Sequence, residues 1–106
     1  MQIILSNVPP DKGPDIAKKL VEEGLAACIN LLPIRSVYRW KGQLCVDEEQ
    51  TLLIKVAKEK TEALTKRLRE LHPYELPEIL ALDVDKARSS EAYVAWVRRE
   101  CGVTDV

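Results

Sequence analysis

The stretch from Leu71 to Glu78 holds the chain's only histidine, His72, beside a tyrosine and two carboxylates. Two prolines, Pro73 and Pro77, push the residues before them out of the α region, which predicts a stiff, extended connector. An imidazole with carboxylates on rigid backbone can ligate a metal ion, and an imidazole also titrates near neutral pH. A lone histidine at a helix end is also a common hydrogen-bonded cap, and the same residues can seal a subunit contact. From the residues alone both interpretations stay open, with His72 as the best single metal candidate.

A second group of residues has the composition of a pocket. Aromatic side chains with polar tips line clefts but are also enriched at subunit interfaces, and an intersubunit cleft satisfies both interpretations. Lys55 interrupts an apolar strand, so its ammonium is expected to pair with a carboxylate such as Glu75 or Glu78, as a structural ion pair or as the floor of a pocket. The candidate cleft comprises Cys28, Tyr38, Trp40, Lys55, Tyr74, Glu75 and Glu78.

The three cysteines do not form a recognisable ligand set. Cys28 lies in an apolar run and is expected to be a small core residue, of chemical interest only if His72 faces it. Cys45 and Cys101 have no ligand partner at local spacing. An odd number of cysteines without a CxxC pair predicts reduced thiols, and with the absence of a signal or membrane-spanning stretch it predicts a cytoplasmic protein.

Composition excludes several functional classes. Sixteen basic against seventeen acidic residues, interspersed along the chain, provide no footprint for a nucleic acid. The loop after the first strand contains Pro9 and Pro10, which cannot cradle a phosphate because they lack N–H groups. The acidic stretch from Asp47 to Glu49 lacks the spacing of a calcium loop and is expected to be a solvated bulge. No catalytic constellation can be built without the single histidine, so we predict a protein that is not an enzyme.

Hydrophobic periodicity predicts a single α+β domain over residues 1–106, with the order β-α-β-β-α-β followed by a C-terminal helix. This order is that of the ferredoxin-like split βαβ sandwich, whose two main helices cover one face of a four-stranded antiparallel sheet. A long hairpin is expected to reverse at Lys41-Gly42. Among the strands, one is expected from Leu25 to Leu32 with a bend at Pro33, the next is expected to be interrupted at Asp47–Glu49, and the last is expected from Ile79 to Val84. Among the helices, Asp11 is expected to cap the first. The last helix is expected to be capped by Ser90 and to direct four residues inward: Ala92, Tyr93, Trp96 and Val97.

The predicted strands carry more apolar residues than a sheet with one wetted face requires. Because two helices cover only one face, the other face must be covered by something else. The simplest cover is another copy of the chain in a closed, symmetric oligomer. We therefore predict a homo-oligomer.

Five blocks of sequence, in order along most of the chain, form a specific pattern: Leu20–Glu23, Leu25–Asn30, Ser36–Gly42, Glu49–Lys55 and His72–Ile79. In these blocks the chain resembles the CutA divalent-cation-tolerance family. The resemblance implies a ferredoxin-like subunit in a homotrimer, related in architecture to PII signalling proteins, with lateral clefts between subunits and a link to copper and other divalent metals.

Two departures from the family pattern affect the expected metal site. The family usually has a glycine after the proline that here is Pro33, but this chain continues with Ile34. Copper binding in some members is attributed to a cysteine near the end of the first strand and a histidine doublet, whereas this chain has Ser6 and only His72. Because soft sulfur and imidazole select copper, any metal site here is expected to be weaker or built differently.

Three functions follow as expectations. The first is a trimeric, cytosolic protein that binds divalent metal ions, copper foremost, through His72. The second is a PII-like sensor that binds a small anionic metabolite in its intersubunit clefts. The third is a purely structural trimer, in which the candidate residues serve only the interface.

Overall fold

Four strands and three helices follow one another in the predicted order in the computed structural model, which describes residues 1–103. The strands form one antiparallel sheet with the order β2-β3-β1-β4. This arrangement confirms the predicted ferredoxin-like sheet. The elements are β1 (Gln2–Val8), α1 (Gly13–Glu22), β2 (Cys28–Trp40), β3 (Gln43–Val56), α2 (Thr61–Leu71), β4 (Leu80–Asp83) and α3 (Glu91–Glu100), with short 3-10 turns at Lys58–Lys60 and Lys86–Arg88.

The hairpin of β2 and β3 dominates the shape of the subunit. Its strands pair without interruption from Cys28 opposite Lys55 to Trp40 opposite Gln43. Lys41 and Gly42 make the reversal with φ values of 50° and 76°, the left-handed conformation that a two-residue hairpin turn requires. The hairpin extends past the helices, and the subunit is accordingly elongated, with extents of 51 × 28 × 20 Å.

Three predicted details of the strands are wrong. Leu25 and Ala26 lie in the turn after α1 rather than in a strand, and their N–H groups bond back to the carbonyl of Leu20. Pro33 neither bends nor bulges β2: it pairs in register with Gln50, and an edge strand tolerates proline because one side of its backbone has no partner. The acidic stretch Asp47–Glu49 does not interrupt β3, since it continues the ladder opposite residues 34–36 of β2.

Two predicted details of the helices also need correction. Helix α1 has Lys12 at its N-cap without a side-chain cap, so Asp11 is not the cap. In α3 the Ser90 hydroxyl does accept from the Tyr93 N–H as predicted. The buried positions of that helix are nevertheless Val94 and Val97, whereas Ala92 and Tyr93 are exposed.

The core lies between the helices and one face of the sheet. Residues of β1 and β3 alternate into it and meet apolar positions of all three helices. The main contributors are Ile4, Val8, Leu20, Leu52, Ile54, Leu64, Leu68 and Val97. Along β1 the intervening residues point away from this core, as the period of two in a strand requires.

The opposite face of the sheet is apolar and uncovered in the single chain. Leu5 lies in register between Leu53 and Leu80, and Ile3 lies between Lys55 and Leu82, so these side chains share that face. Leu80 and Leu82 are about half exposed, at 51% and 47%. We call the surface formed by Ile3, Leu5, Leu32, Leu53, Leu80 and Leu82 the open face.

No helix among residues 1–103 is long and apolar enough to cross a bilayer.

Candidate functional site

The predicted connector follows α2 directly. His72 is the first residue after the helix, with extended backbone at φ −75° and ψ 129°, as a residue before proline must be. From there the chain runs over the end of β1 and on to β4. This path brings the imidazole to Asn7 and Tyr74, not to Cys28, which lies level with Lys55 and Ile3, towards the opposite end of β1 from Asn7.

Both ring nitrogens of His72 have hydrogen-bond partners. Nε2 lies 2.9 Å from the carbonyl oxygen of Asn7, and since a carbonyl only accepts, Nε2 carries the proton. Nδ1 accepts from the N–H of Tyr74 at 3.2 Å. The side chain is buried, and burial lowers the pKa of His72 below its ordinary value. In this conformation the imidazole is a neutral structural link, so a metal ion at either nitrogen has to displace one of these partners.

The neutral state of His72 predicts a pH dependence of stability. The pKa of His72 in the folded protein lies below 6.5, so the unfolded chain binds more protons and the free energy of unfolding falls as the pH drops through and below about 6.5. A His72→Gln variant keeps a donor for Asn7 and an acceptor for Tyr74 but cannot titrate. We expect its free energy of unfolding to fall less between about pH 7.5 and 5.5 than that of the wild type in denaturant titrations. Parallel losses in the two proteins would contradict the burial of a neutral imidazole.

Beside the connector lies a cleft of about 670 Å³. Five of the predicted cleft residues line it: Tyr38, Trp40, Tyr74, Glu75 and Glu78. The other lining residues are not in the predicted cleft set; they are Asn7, Ser36, Val37, Glu49, Pro73 and Leu76. Of these, Glu49 could have been found from the hairpin register, because counting back from the Lys41-Gly42 turn pairs it with Ile34 on the face of Ser36 and Tyr38.

Two tyrosine–carboxylate pairs organise the cleft. Tyr38 donates its hydroxyl to Asp47 at 2.5 Å, which raises the pKa of Tyr38 to about 12. Tyr74 donates its hydroxyl to Glu49 at 2.7 Å. Burial, together with this hydrogen bond, also raises the pKa of Tyr74 above its ordinary value. Both phenols therefore stay protonated at neutral pH and act as fixed donors to carboxylates.

Glu49 is the buried member of these pairs. Its residue is only 8% exposed, yet no lysine or arginine within residues 1–103 forms an ion pair with it. The residues that line the cleft include three glutamates and no basic side chain. The cleft is thus acidic, with aromatic walls.

Lys55 and Cys28 lie outside this cleft. The Lys55 ammonium donates to the side-chain oxygen of Asn30 and approaches the sulfur of Cys28 at 3.9 Å. The expected carboxylate partner is therefore wrong, since Glu75 and Glu78 line the cleft instead. The strand register explains why Lys55 does not reach these glutamates. Lys55 of β3 pairs with Cys28 of β2 at one end of the hairpin, whereas Trp40 of the cleft lies at the other end.

A copper centre does not assemble within one chain. In the described part of the chain no three His, Cys, Asp or Glu side chains lie close enough together to hold a metal ion. The imidazole of His72 and the thiol of Cys28 have different neighbours, and both His72 nitrogens are engaged. A metal ion bound at His72 would need ligands from a second copy of the chain.

Comparison with known proteins agrees with this fold. A family model described as CutA1 divalent ion tolerance protein matches residues 2–100. The divalent-cation tolerance protein CutA of Thermus thermophilus is 41% identical over 103 residues, covering 95% of this chain and 98% of that protein. Protein CutA, chloroplastic, of Arabidopsis thaliana is 37% identical over 89 residues, covering 83% of this chain and 48% of that protein. The solved structure of PII-like protein CutA from Nostoc sp. PCC 7120 in apo form superposes with a TM-score of 0.93 at 46% identity, covering 95% of this chain and 97% of that one. The chain belongs to the CutA1 divalent ion tolerance family.

Proposed function

We propose that this chain acts as a homotrimer that binds divalent metal ions, copper(II) foremost, in clefts between its subunits, and that it serves the response to those ions without catalysing a reaction. The observation that carries the proposal is the acidic cleft beside the chain's only imidazole. Tyr74 contacts both His72 and Glu49, so the imidazole adjoins a carboxylate-lined space that attracts cations.

Self-association is supported by the open face. Six apolar side chains remain on a sheet surface that the helices do not cover, and an isolated subunit would leave them in water. A closed assembly of like copies covers this surface and brings the long hairpin of one subunit to another. Such an assembly also supplies the second set of ligands that a metal ion at His72 requires.

Copper(II) binding through His72 has a specific structural requirement. The ring must leave the Asn7 carbonyl or the Tyr74 N–H before a nitrogen can ligate, and each of those hydrogen bonds contributes about 1 kcal/mol. Because no three such ligands converge among residues 1–103, cleft carboxylates would complete the shell only together with groups from a second copy of the chain. Because no thiolate joins the imidazole, we expect an affinity below that of a cysteine–histidine copper site.

Calorimetric titration with Cu²⁺ tests this function. The assembled protein is titrated in the presence of a competing chelator, in a Cys45→Ser background that removes a thiol on the hairpin. We expect His72→Ala to weaken Cu²⁺ binding at least about tenfold, the usual effect of removing one ligand or its support. Glu62→Gln, a carboxylate change on α2 outside the cleft, should leave binding unchanged. Equal weak binding by all three proteins would contradict the copper function.

The size of the cleft favours a second candidate function, a PII-like sensor of a small molecule. A volume of about 670 Å³ falls in the range in which proteins bind organic ligands. The residues that line the cleft would repel the anionic ligand that the sequence suggested. The charged side chains among them are glutamates, and Lys55 lies outside the cleft, bonded to Asn30. If neither metal ions nor small molecules bind, the purely structural trimer is the remaining function. We propose a cytoplasmic location for all three, although one relative is named as chloroplastic.

A further inference from the structure

The buried carboxylate of Glu49 lacks a counter-ion. Only 8% of the residue is exposed, and its one polar contact in the described part of the chain is the Tyr74 hydroxyl at Oε2. Buried charges in proteins are normally paired, because removing a carboxylate from water is costly unless a cation or several donors compensate. A single phenol is a partial compensation. The cleft therefore offers a site for a positive charge.

Aromatic rings form the walls around this carboxylate. Tyr38, Trp40 and Tyr74 all line the cleft, and each remains about two-fifths exposed in the single chain. Aromatic faces attract cations through the ring quadrupole, and tryptophan does so best. The chain itself gives an example, since the ammonium of Lys41 lies over the ring of Trp40 at 5.8 Å from its centroid.

The arrangement of the carboxylates suits an organic cation, whose charge is spread over several atoms, better than a bare metal ion. Metal ions need several oxygen or nitrogen ligands that converge within about 2 to 2.6 Å, and no such group of three exists among residues 1–103. Here the glutamates are spread around a space of about 670 Å³, between apolar and aromatic surfaces. An organic cation fills such a space, contacts the rings with its alkyl groups and needs only one close carboxylate.

We propose that the cleft binds a small organic cation, a protonated amine or a quaternary ammonium, whose charge lies against Glu49 and whose carbon groups pack on Tyr38, Trp40 and Tyr74. This inference rests on the proposed function in one respect, namely that the cleft is a ligand site in the assembled protein. The ammonium can come from a free small molecule or from a lysine of a neighbouring copy. We assign it to a free molecule, because the cleft volume far exceeds that of a lysine head group.

Choline and its neutral isostere 3,3-dimethylbutan-1-ol test the charge requirement. The chain has two tryptophans, so a Trp96→Phe background leaves Trp40 as the only tryptophan reporter. Titrations at constant ionic strength, read by Trp40 fluorescence and by calorimetry, should show choline binding at least about tenfold more tightly than the alcohol, since desolvated cation–π contacts and one carboxylate each contribute this order. Citrate, as an anionic probe, should not bind.

Two variants test whether the charge of Glu49 and the ring of Trp40 contribute to choline binding. Glu49→Gln keeps an acceptor for the Tyr74 hydroxyl but removes the charge, and it should weaken choline binding about tenfold. Trp40→Leu, read by calorimetry, should weaken it roughly fivefold. Glu62→Gln is the matched control on α2 and should change nothing. Thermal unfolding of each variant verifies that it remains folded.

The possible results separate this inference from the proposed function. Equal affinity for choline and the neutral alcohol, or an unchanged affinity in Glu49→Gln, overturns the organic-cation site. Absence of choline binding to a trimer that still binds Cu²⁺ overturns the inference and leaves the proposed function standing. If choline binds only after dilution to monomers, a neighbouring copy fills the cleft, and the assignment to a free molecule is wrong.

Discussion

Replacing Leu80 by lysine is expected to convert the proposed homotrimer into a monomer with the 12.0 kDa mass of a single chain. Leu80 lies beside Leu5 in the register of the sheet, and about half of its surface is uncovered in the isolated subunit. In an assembly that covers the open face, a lysine here would bury an unpaired ammonium. Such a buried charge weakens association by about 2 to 5 kcal/mol, a factor of tens to thousands.

Light scattering at micromolar concentration measures this effect directly. The matched control is Val21→Lys, because Val21 is an exposed apolar residue at 41% exposure but lies on α1, away from the open face. That variant should keep the mass of the wild type, and lysine is favourable in the last turn of a helix. The apparent stability of wild type and control should also rise with protein concentration, whereas that of Leu80→Lys should not. A wild-type monomer, or a Leu80→Lys variant that assembles like the wild type, would refute the open face as an interface.

The element order was predictable because its signals are local. Apolar positions at helical spacing predicted α1 and α2. In α1 the predicted Ile16, Ala17 and Leu20 face the core, whereas Val21, from the same apolar set, is 41% exposed. Pro73 fixed the end of α2 at the preceding residues, and Lys41-Gly42 identified the hairpin turn. Each of these features depends on the backbone preferences of a few neighbouring residues, so sequence spacing was sufficient.

Strand ends were harder to predict because tertiary hydrogen bonds decide them. Leu25 and Ala26 are as apolar as the strand that follows, but their N–H groups close the end of α1 at Leu20. Pro33 is tolerated only because β2 is an edge strand, a property of the sheet order rather than of the local sequence. In α3, Val94 replaces Tyr93 as the inward residue, because the rotation of a terminal helix depends on what it packs against.

The site was predicted in part for the same reason. Tyr38 and Trp40 are two residues apart in β2 and therefore lie on the same face of the strand. Tyr74, Glu75 and Glu78 lie close together in the connector. These two short stretches supply five of the cleft residues. That these two stretches meet depends on long-range contacts, above all the bond from Tyr74 to Glu49. The engagement of both His72 nitrogens likewise requires Asn7, which is 65 residues away in the sequence. Residue types indicated the chemistry available here, but only the fold shows which groups are already paired.

Removing the Tyr74 hydroxyl is the second substitution with a large expected effect. Glu49 is buried, and this hydroxyl is its only polar contact in the described part of the chain, so Tyr74→Phe leaves a buried carboxylate unsatisfied. An unsatisfied buried acceptor costs about 1 to 3 kcal/mol, and we expect a loss of about 2 kcal/mol in the free energy of unfolding. Tyr38→Phe is the matched control: it removes a hydroxyl from the same cleft, but the Asp47 carboxylate that loses its donor is exposed and turns to water instead. That control should change stability little.

A double-mutant cycle separates the bond from the other effects of the substitution. Urea unfolding at one protein concentration gives the free energies for wild type, Tyr74→Phe, Glu49→Gln and the double variant. If the hydroxyl stabilises the protein through Glu49, the loss caused by Tyr74→Phe should shrink when Glu49 is already neutral, because a neutral amide is less costly to leave unpaired than a carboxylate. Equal losses in both backgrounds would show that the phenol acts through other contacts. A reduced loss would identify the Glu49 carboxylate as the group through which the hydroxyl stabilises the protein, and a cation bound there should then restore part of the stability lost in Tyr74→Phe.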